Sequence, residues 1–162
     1  MGVDMSVAYV FPRSVLGVLL AVLVTVGCAP LIAEYNADAY KTVTTLKAET
    51  LGLVDKSGES YSSHKKDVDD LTVKINAAYE FAAGLPSNQL VAEEWQILRN
   101  PDGNLYGAFV KRWRQQGRLS DTFRAEKKFQ LGKAFDQIIC LEANKKESRS
   151  CQNVSQSASA VQ

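Results

Sequence analysis

Apolar residues recur every three or four positions through the middle of the chain, which is the spacing of one helical face. The clearest run begins near Ser62 or Ser63, where a serine cap and Asp67 favour a helix start. Gly84 and Pro86 end it. Its predicted inward positions are His64, Val68, Leu71, Ile75, Ala78 and Ala82. The pattern therefore predicts an amphipathic helix with one face in a core.

A second stretch of the same kind precedes this one. The spacing predicts a helix over about residues 33–55, and the polar segment DKSGES at 55–60 is typical of a turn. Two long helices joined by so short a turn form an antiparallel hairpin. The predicted inward positions of the first helix are Ala39, Val43, Leu46 and Leu53.

Three more helices are predicted in the second half of the chain. One begins near Ser87 or Asn88, and the turn NPDGN ends it. A short helix then covers about residues 105–115, and a longer one begins at Ser120 or Asp121. The predicted inward positions of the first and last of these are Leu90, Val91, Trp95, Leu98, Phe123, Leu131, Phe135, Ile138 and Ile139.

The same pattern gives few strand signals, because no stretch alternates convincingly between apolar and polar residues. Helices joined by short turns predict an all-α fold, a small antiparallel bundle of about four to five helices. We expect this domain to cover residues 34–144. The stretch 145–162 has the composition of a polar C-terminal tail, and its last ten residues favour disorder.

The segment that precedes the bundle is apolar and carries no charge from Ser14 to Ala33. Its strongly apolar part, residues 15–26, would extend about 18 Å as a helix. That is short of the roughly 30 Å of a bilayer core but typical of the core of a signal peptide. An uncleaved membrane anchor and an ordinary secretion signal are the alternatives.

This apolar run ends in VTVGC at residues 24–28, and the segment resembles the lipobox of bacterial lipoproteins. In that family the chain is cut before the cysteine, which carries a diacylglycerol and palmitate. The resemblance implies that residues 1–27 are a signal peptide, cut between Gly27 and Cys28, and that residues 28–33 are a lipidated tether. Because Ala29 follows the cysteine, it also implies an outer-membrane destination and a domain that faces the periplasm.

If Cys28 carries the lipid, two cysteines remain, Cys140 and Cys151. Within one continuous helix their Cα atoms would lie about 16 Å apart, whereas a disulfide needs about 4.4 to 6.8 Å. A bridge therefore requires the last helix to stop near Asn144 and the chain to fold back. We expect this disulfide in an oxidising compartment, and two free thiols are the alternative.

Charge is divided unevenly along the chain. Residues 28–102 hold seven basic and twelve acidic side chains, and residues 103–162 hold eleven and five. The simplest explanation is that acidic helices pack beside basic ones within one domain. A polar binding face is the alternative.

The most concentrated basic segment is YGAFVKRWRQQGR at residues 106–118. Arginine beside an aromatic residue is typical of surfaces that bind proteins or anions. The candidate contact surface consists of Tyr106, Lys111, Arg112, Trp113, Arg114 and Arg118. The alternative is that Phe109, Val110 and Trp113 face the core while the cations lie in water or pair with acidic helices.

The chain offers little for catalysis or metal binding. His64 is its only histidine, and a protein metal site usually needs three ligands. The pairs Asp69–Asp70 and Glu93–Glu94 are adjacent on helices, so their side chains point about 100° apart and neither pair is a catalytic dyad by itself. The sequence also contains no GxSxG elbow and no phosphate-binding glycine loop. We therefore expect no enzyme activity, no metal and no cofactor.

These features predict a lipid-anchored cell-envelope protein with a non-catalytic binding or scaffolding role. Its expected partner is another envelope protein or an anionic envelope component, and not nucleic acid. A regulator or inhibitor of a periplasmic partner enzyme is the first alternative. A hydrolase with a dispersed carboxylate site is the second.

Overall fold

The structure, a computed structural model, describes residues 34–145 and 148–151. Within them the chain forms α-helices and two short 3₁₀ turns, and no strand. The α-helices are α1 Ala37–Lys56, α2 Lys65–Gly84, α3 Gln89–Arg99, α4 Tyr106–Gln116 and α5 Asp121–Ala143, and the 3₁₀ turns are Tyr61–His64 and Ser148–Cys151. The predicted all-α class, a small helical bundle, is confirmed.

Helix α1 starts at a side-chain cap. The Asn36 side-chain oxygen accepts hydrogen bonds from the Asp38 N–H at 2.9 Å and the Ala39 N–H at 3.0 Å. Asp38 in the first turn and Lys56 in the last turn complement the helix dipole. The predicted inward face is confirmed, and two residues join it. The buried residues of α1 are Ala39, Val43, Leu46, Thr50, Leu53 and Val54.

Helix α2 begins later than predicted, because the 3₁₀ turn Tyr61–His64 comes first. Its N-cap is His64, which makes no side-chain capping bond. The predicted cap at Ser62 or Ser63 is therefore wrong, and the Ser62 hydroxyl instead lies 2.9 Å from the Ser60 hydroxyl. The inward face beyond this start is as predicted. Its buried residues are Val68, Leu71, Ile75, Ala78 and Ala82.

Helices α3 and α4 are separated by the predicted turn NPDGN. Within this turn the Asn100 side-chain oxygen accepts a hydrogen bond from the Asp102 N–H at 3.0 Å. The first turn of α4 then passes very close to the end of α3. A Cβ atom built on Gly107 would lie 2.2 Å from the Arg99 carbonyl oxygen, so only glycine fits there. At the other end of α4, Gly117 has a φ of 76°, which suits glycine at a helix end.

Helix α5 begins after Ser120, whose hydroxyl accepts a hydrogen bond from the Phe123 N–H at 3.3 Å. The predicted core positions Leu131, Phe135 and Ile138 are buried, and Phe123 and Ile139 are partly buried. The helix ends near Asn144, as the predicted disulfide requires. There the Asn144 N–H donates to the Cys140 carbonyl oxygen at 2.9 Å.

The helices close into a ring around one core. Both α1 and α3 pack against α2 and α5. Trp95 of α3 meets Phe135 of α5 edge-on, with ring centroids 5.9 Å apart. A second aromatic group fills the end of the bundle beside the α1–α2 turn, where Trp113 lies 5.6 Å from Tyr61 and 5.9 Å from Phe109 between ring centroids. Such aromatic pairs stabilise a core beyond the area that they bury.

The disulfide between Cys140 and Cys151 is present, with the two Cα atoms 5.7 Å apart. The chain folds back after α5, and this brings Lys145 against the bundle. Lys145 Nζ lies 2.9 Å from Glu142 Oε2 and donates a hydrogen bond to the Asn88 side-chain oxygen at 2.8 Å. Lys145 and Cys151 are both buried, so both pack against the bundle although they fall in the predicted polar tail 145–162.

Several predictions concern residues outside the described part of the chain. These are the signal peptide 1–27, the cleavage site at Gly27 and Cys28, the tether 28–33 and, within the predicted polar tail 145–162, residues 146, 147 and 152–162. Among the helices of residues 34–145, none combines the length and the apolar character that a bilayer crossing requires.

Candidate functional site

The candidate contact surface lies on α4 and just beyond it, and its six residues fall into two groups. Tyr106 and Trp113 are buried, with 2% and 0% of their surface exposed. The prediction that they join a contact surface is wrong, because both face the core together with Phe109 and Val110. The exposed members, which we call the basic surface, are Lys111, Arg112, Arg114 and Arg118.

Tyr106 connects α4 to α2. Its hydroxyl lies 2.8 Å from the Thr72 hydroxyl and donates to the Val68 carbonyl oxygen at 3.3 Å. Burial raises the pKa of Tyr106 to about 12, partly offset by the hydrogen bond with Thr72. The phenol therefore stays protonated at physiological pH, and its polar atom is satisfied inside the protein.

Trp113 connects α4 to the turn that follows α1. Its indole N–H donates to the Glu59 carbonyl oxygen at 3.1 Å. Its ring lies against Tyr61 on one side and 5.8 Å from the His64 ring between centroids. Since its one donor is satisfied and its ring is enclosed, Trp113 holds the fold together and does not meet a partner.

The four cations of the basic surface have different surroundings. Lys111 Nζ donates to Asp102 Oδ1 at 2.8 Å, and this contact lowers the pKa of the Asp102 carboxyl group. The Arg114 Nε–H donates to the Tyr61 hydroxyl at 3.1 Å, and the Arg112 guanidinium lies 4.2 Å from the Phe123 ring centroid. Among the described residues, no carboxylate pairs with Arg112, Arg114 or Arg118.

The basic surface borders a polar groove of about 770 Å³ between α2 and α4. Both Lys111 and Arg114 line it, and Arg99 lies on the same wall from the end of α3. The acidic side chains Asp69 and Asp102 also line the groove. An anionic group that enters it would meet guanidinium donors, which bind carboxylate and phosphate in a planar, paired geometry.

The only histidine is held by two carboxylates. His64 Nε2 lies 2.8 Å from Glu59 Oε2, and Nδ1 lies 3.4 Å from Asp67 Oδ2. The hydrogen bond with Glu59 raises the pKa of His64, and Asp67 adds to the effect, while partial burial opposes it. Both ring nitrogens have partners within the protein. These contacts connect the α1–α2 turn, through Glu59, to the first turn of α2, through Asp67.

The carboxylate pairs do not converge. Asp69 and Asp70 each pair with a lysine four residues earlier on α2, at Lys65 and Lys66. Glu93 is exposed, while burial raises the pKa of the neighbouring Glu94, with the Glu93 charge as the lesser cause. Residues 34–145 and 148–151 contain no group of three or more acidic, histidine or cysteine side chains placed to hold a metal ion.

A second groove, between α1 and α2, was not predicted from the sequence. Its volume is about 600 Å³, and it reaches inward to Trp95 of α3 and Glu142 of α5. Many of its lining side chains are small. The short side chains on its walls include Ala39, Thr45, Ala77, Ala78 and Ala82, and the larger Phe81 lines it as well. The alanines on α2 are the sequence feature that permits it, because short side chains leave space between helices.

Comparison with known proteins gives no match to this chain. No model of a protein family matches it, and neither the curated proteins nor the solved structures contain a match.

Proposed function

We propose that this chain is an exported bacterial lipoprotein, anchored through Cys28 to the outer membrane and facing the periplasm. Its bundle binds an envelope partner and catalyses no reaction. The resemblance of VTVGC to a lipobox supports the anchor. Lipid attachment is sufficient for this role, since each buried CH₂ contributes about 0.8 kcal/mol and two or more acyl chains anchor a protein stably.

The observation that carries the proposal is the pairing of the cysteines. Cys140 and Cys151 form a disulfide, and such bonds persist in oxidising compartments such as the bacterial periplasm. Of the three cysteines in the chain, Cys28 is the one left over. Cys28 stands at the position that a lipobox requires. The disulfide therefore supports export, and the position of Cys28 supports anchoring.

The basic surface supports a partner that carries acidic groups. Arg112, Arg114 and Arg118 are exposed and have no carboxylate partner among the described residues. Arginine is enriched at protein interfaces, and its planar fork suits carboxylates. The partner that fits this surface best is another envelope protein with an acidic face.

Metabolic labelling tests the anchor. Cells that express the full chain are grown with radioactive palmitate, and the protein is followed through membrane fractionation. We expect label in the wild type and in the Cys151→Ser variant, which loses the disulfide only. Cys28→Ser should carry no label. A wild type without label, or a Cys28→Ser variant that keeps it, would overturn the proposal.

Site-specific photo-crosslinking in intact cells tests the basic surface. The crosslinker replaces Gln115, which is exposed beside the cations, and a control replaces Ala125, which is exposed on α5. We expect one defined envelope adduct from position 115 and none from position 125. Arg112→Glu combined with Arg118→Glu should abolish the adduct. An adduct that survives this charge reversal would contradict an acidic partner.

A further inference from the structure

The groove between α1 and α2 reaches from the surface into the core. Its α2 wall carries Ala77, Ala78 and Ala82, and Ala39 lies on the α1 wall. Because these side chains are short, the groove extends inward as far as Trp95, which is almost fully buried. The volume of about 600 Å³ falls within the range of roughly 300 to 1,000 Å³ that small-molecule sites occupy.

Most charges in this groove are matched within the protein. On the rim, Lys74 Nζ donates to Glu49 Oε1 at 2.7 Å. At the inner end, Lys145 Nζ lies 2.9 Å from Glu142 Oε2, which is an ion-pair distance although the geometry is not that of a hydrogen bond. The interior of the groove is therefore suited to an apolar ligand.

Two opposite charges remain on the α1 wall. Asp38 and Lys41 both line the groove, and they lie one helical turn apart. Neither side chain forms an ion pair with another described residue. A head group that carries a charge of each sign fits this pair.

The groove lies in the half of the bundle that is nearest to the tether. Its α1 wall starts at Asp38, soon after the cap at Asn36. Cys28 precedes Glu34 by six residues, and six residues extend at most about 20 Å. A lipid on Cys28 therefore holds this end of the bundle close to the bilayer.

Exposed aromatic side chains occur at the same end. Tyr35 and Tyr40 flank the start of α1, with 58% and 37% of their surface exposed. Phe81 on the groove wall is 46% exposed. Aromatic residues of this kind are favoured where a protein meets the membrane–water interface. The position suits a ligand that comes from the bilayer.

We propose that the α1–α2 groove takes one acyl chain of a zwitterionic phospholipid from the membrane that holds Cys28. The inference therefore rests on the proposed function. A methylene chain has no donors or acceptors, so it needs no hydrogen-bond partners from alanine and tryptophan side chains. An extended peptide in the same place would leave backbone polar groups without partners, which is costly. Asp38 and Lys41 meet the head group.

Photolabelling from the bilayer tests this site. The full-length lipidated protein is reconstituted in phosphatidylethanolamine vesicles containing a phosphatidylcholine with a diazirine on one acyl chain. After irradiation, mass spectrometry locates the label. We expect it on α1 between Asp38 and Glu49, and on α2 between Lys74 and Ala82.

Matched tryptophan variants make the result specific. Ala77 and Ala83 are both exposed on α2, but only Ala77 lines the groove, and at about 100° per residue Ala83 lies about 120° away from it around the helix. Ala77→Trp should fill the groove and abolish the label on α1, whereas Ala83→Trp should leave it unchanged. Thr45→Trp, which fills the groove from α1, should abolish the label on α2. This second variant protects the result against a folding defect in the first.

Label that is spread evenly over the exposed helices, or that survives both groove-filling variants, overturns the inference. A groove that carries no phospholipid label overturns it as well. The mass of the amino-terminal peptide is measured in the same samples. An acylated Cys28 without groove label rejects this inference alone, whereas an unmodified Cys28 rejects the proposed function.

Discussion

At the scale of single residues, the bundle buries charges that a hydrophobic pattern assigns to the surface. Lys127, Glu142 and Lys145 have 8%, 3% and 7% of their surface exposed. Lys127 Nζ donates to the Asn104 carbonyl oxygen at 2.6 Å, and burial lowers the pKa of this lysine. Each of these charges has a partner, because an unpaired buried charge is strongly destabilising.

The pair of Lys145 and Glu142 gives the first prediction. Lys145→Met should lower the free energy of unfolding by about 3 kcal/mol, because Glu142 then stays buried without its partner. Adding Glu142→Leu should restore most of this loss, since an apolar replacement of a whole buried pair is often neutral. Urea denaturation measures both effects.

The control for this prediction is Lys66→Met, which removes an exposed pair with Asp70. It should cost no more than about 0.5 kcal/mol. A Lys145→Met variant that loses no more stability than this control would contradict the burial of the pair.

The second prediction concerns His64 and pH. Its hydrogen bond with Glu59 raises its pKa in the folded state. The resulting stabilisation is therefore complete below the unfolded value of about 6.5 and is lost as the pH rises through the higher folded value. Glu59→Gln should lower the pKa of His64 and flatten this dependence. NMR titration of the single histidine measures it, and an imidazole pKa at or below the unfolded value would be the contrary result.

At the scale of elements, the junction between α3 and α4 depends on one glycine. Gly107→Ala should destabilise the protein by about 1 to 3 kcal/mol, because its Cβ would overlap the Arg99 and Asn100 backbone. Gly132→Ala on α5 is the matched control. No atom lies within 4 Å of its added Cβ, so it should be stabilising by up to about 1 kcal/mol. Equal thermal midpoints for the two variants would refute the close approach.

The turn after α5 depends on the disulfide, which gives the fourth prediction. In the Cys28→Ser chain only Cys140 and Cys151 remain. Reduction of the disulfide in this chain should lower the free energy of unfolding by about 3 kcal/mol, because the unfolded chain is then no longer closed into a loop. The same reductant should not affect a variant in which all three cysteines are serine. If both chains unfold at one urea concentration with and without reductant, the bond contributes nothing.

The starts of α3, α4 and α5 lie close to where the sequence predicts them, but of the predicted caps only Ser120 forms a capping bond. Ser120 caps α5 as predicted. Asn88 precedes α3, but its amide donates to the Ala82 carbonyl oxygen and accepts from Lys145, so tertiary contacts override capping. Ser87, the other predicted start, adopts a φ of 56° and makes no cap. Helix and cap propensities depend on neighbouring residues, so they do not include a partner that is distant in the sequence, such as Lys145 for Asn88.

The candidate site was predictable only in part, for a similar reason. Arginine and tryptophan in one segment favour a contact surface. Helical spacing, however, places Trp113 on the same side as Phe109, and both side chains are buried in the core. The α1–α2 groove depends on the distance between two helices. Alanines at Ala77 and Ala78 permit that space without specifying it.

At the scale of the whole molecule, ion pairs connect helices from the two halves of the chain. Lys47 on α1 pairs with Asp136 on α5, and Lys128 on α5 pairs with Asp55 on α1. Only the second pair joins a basic residue of the basic half to an acidic residue of the acidic half, so these two pairs together leave the charge difference unchanged. Arg112, Arg114 and Arg118 of the basic surface take part in neither pair, and the α1–α2 groove lies towards the end of the bundle where α1 begins.

The most direct test of the lipoprotein account is the mass of the amino-terminal peptide, from the full chain made in a bacterial host and compared with Cys28→Ser. The account predicts a wild-type peptide that starts at Cys28 and carries the added mass of acyl chains. The variant should lack this mass. An unmodified wild-type peptide that retains residues before Gly27 would contradict the account and make the apolar run an uncleaved anchor.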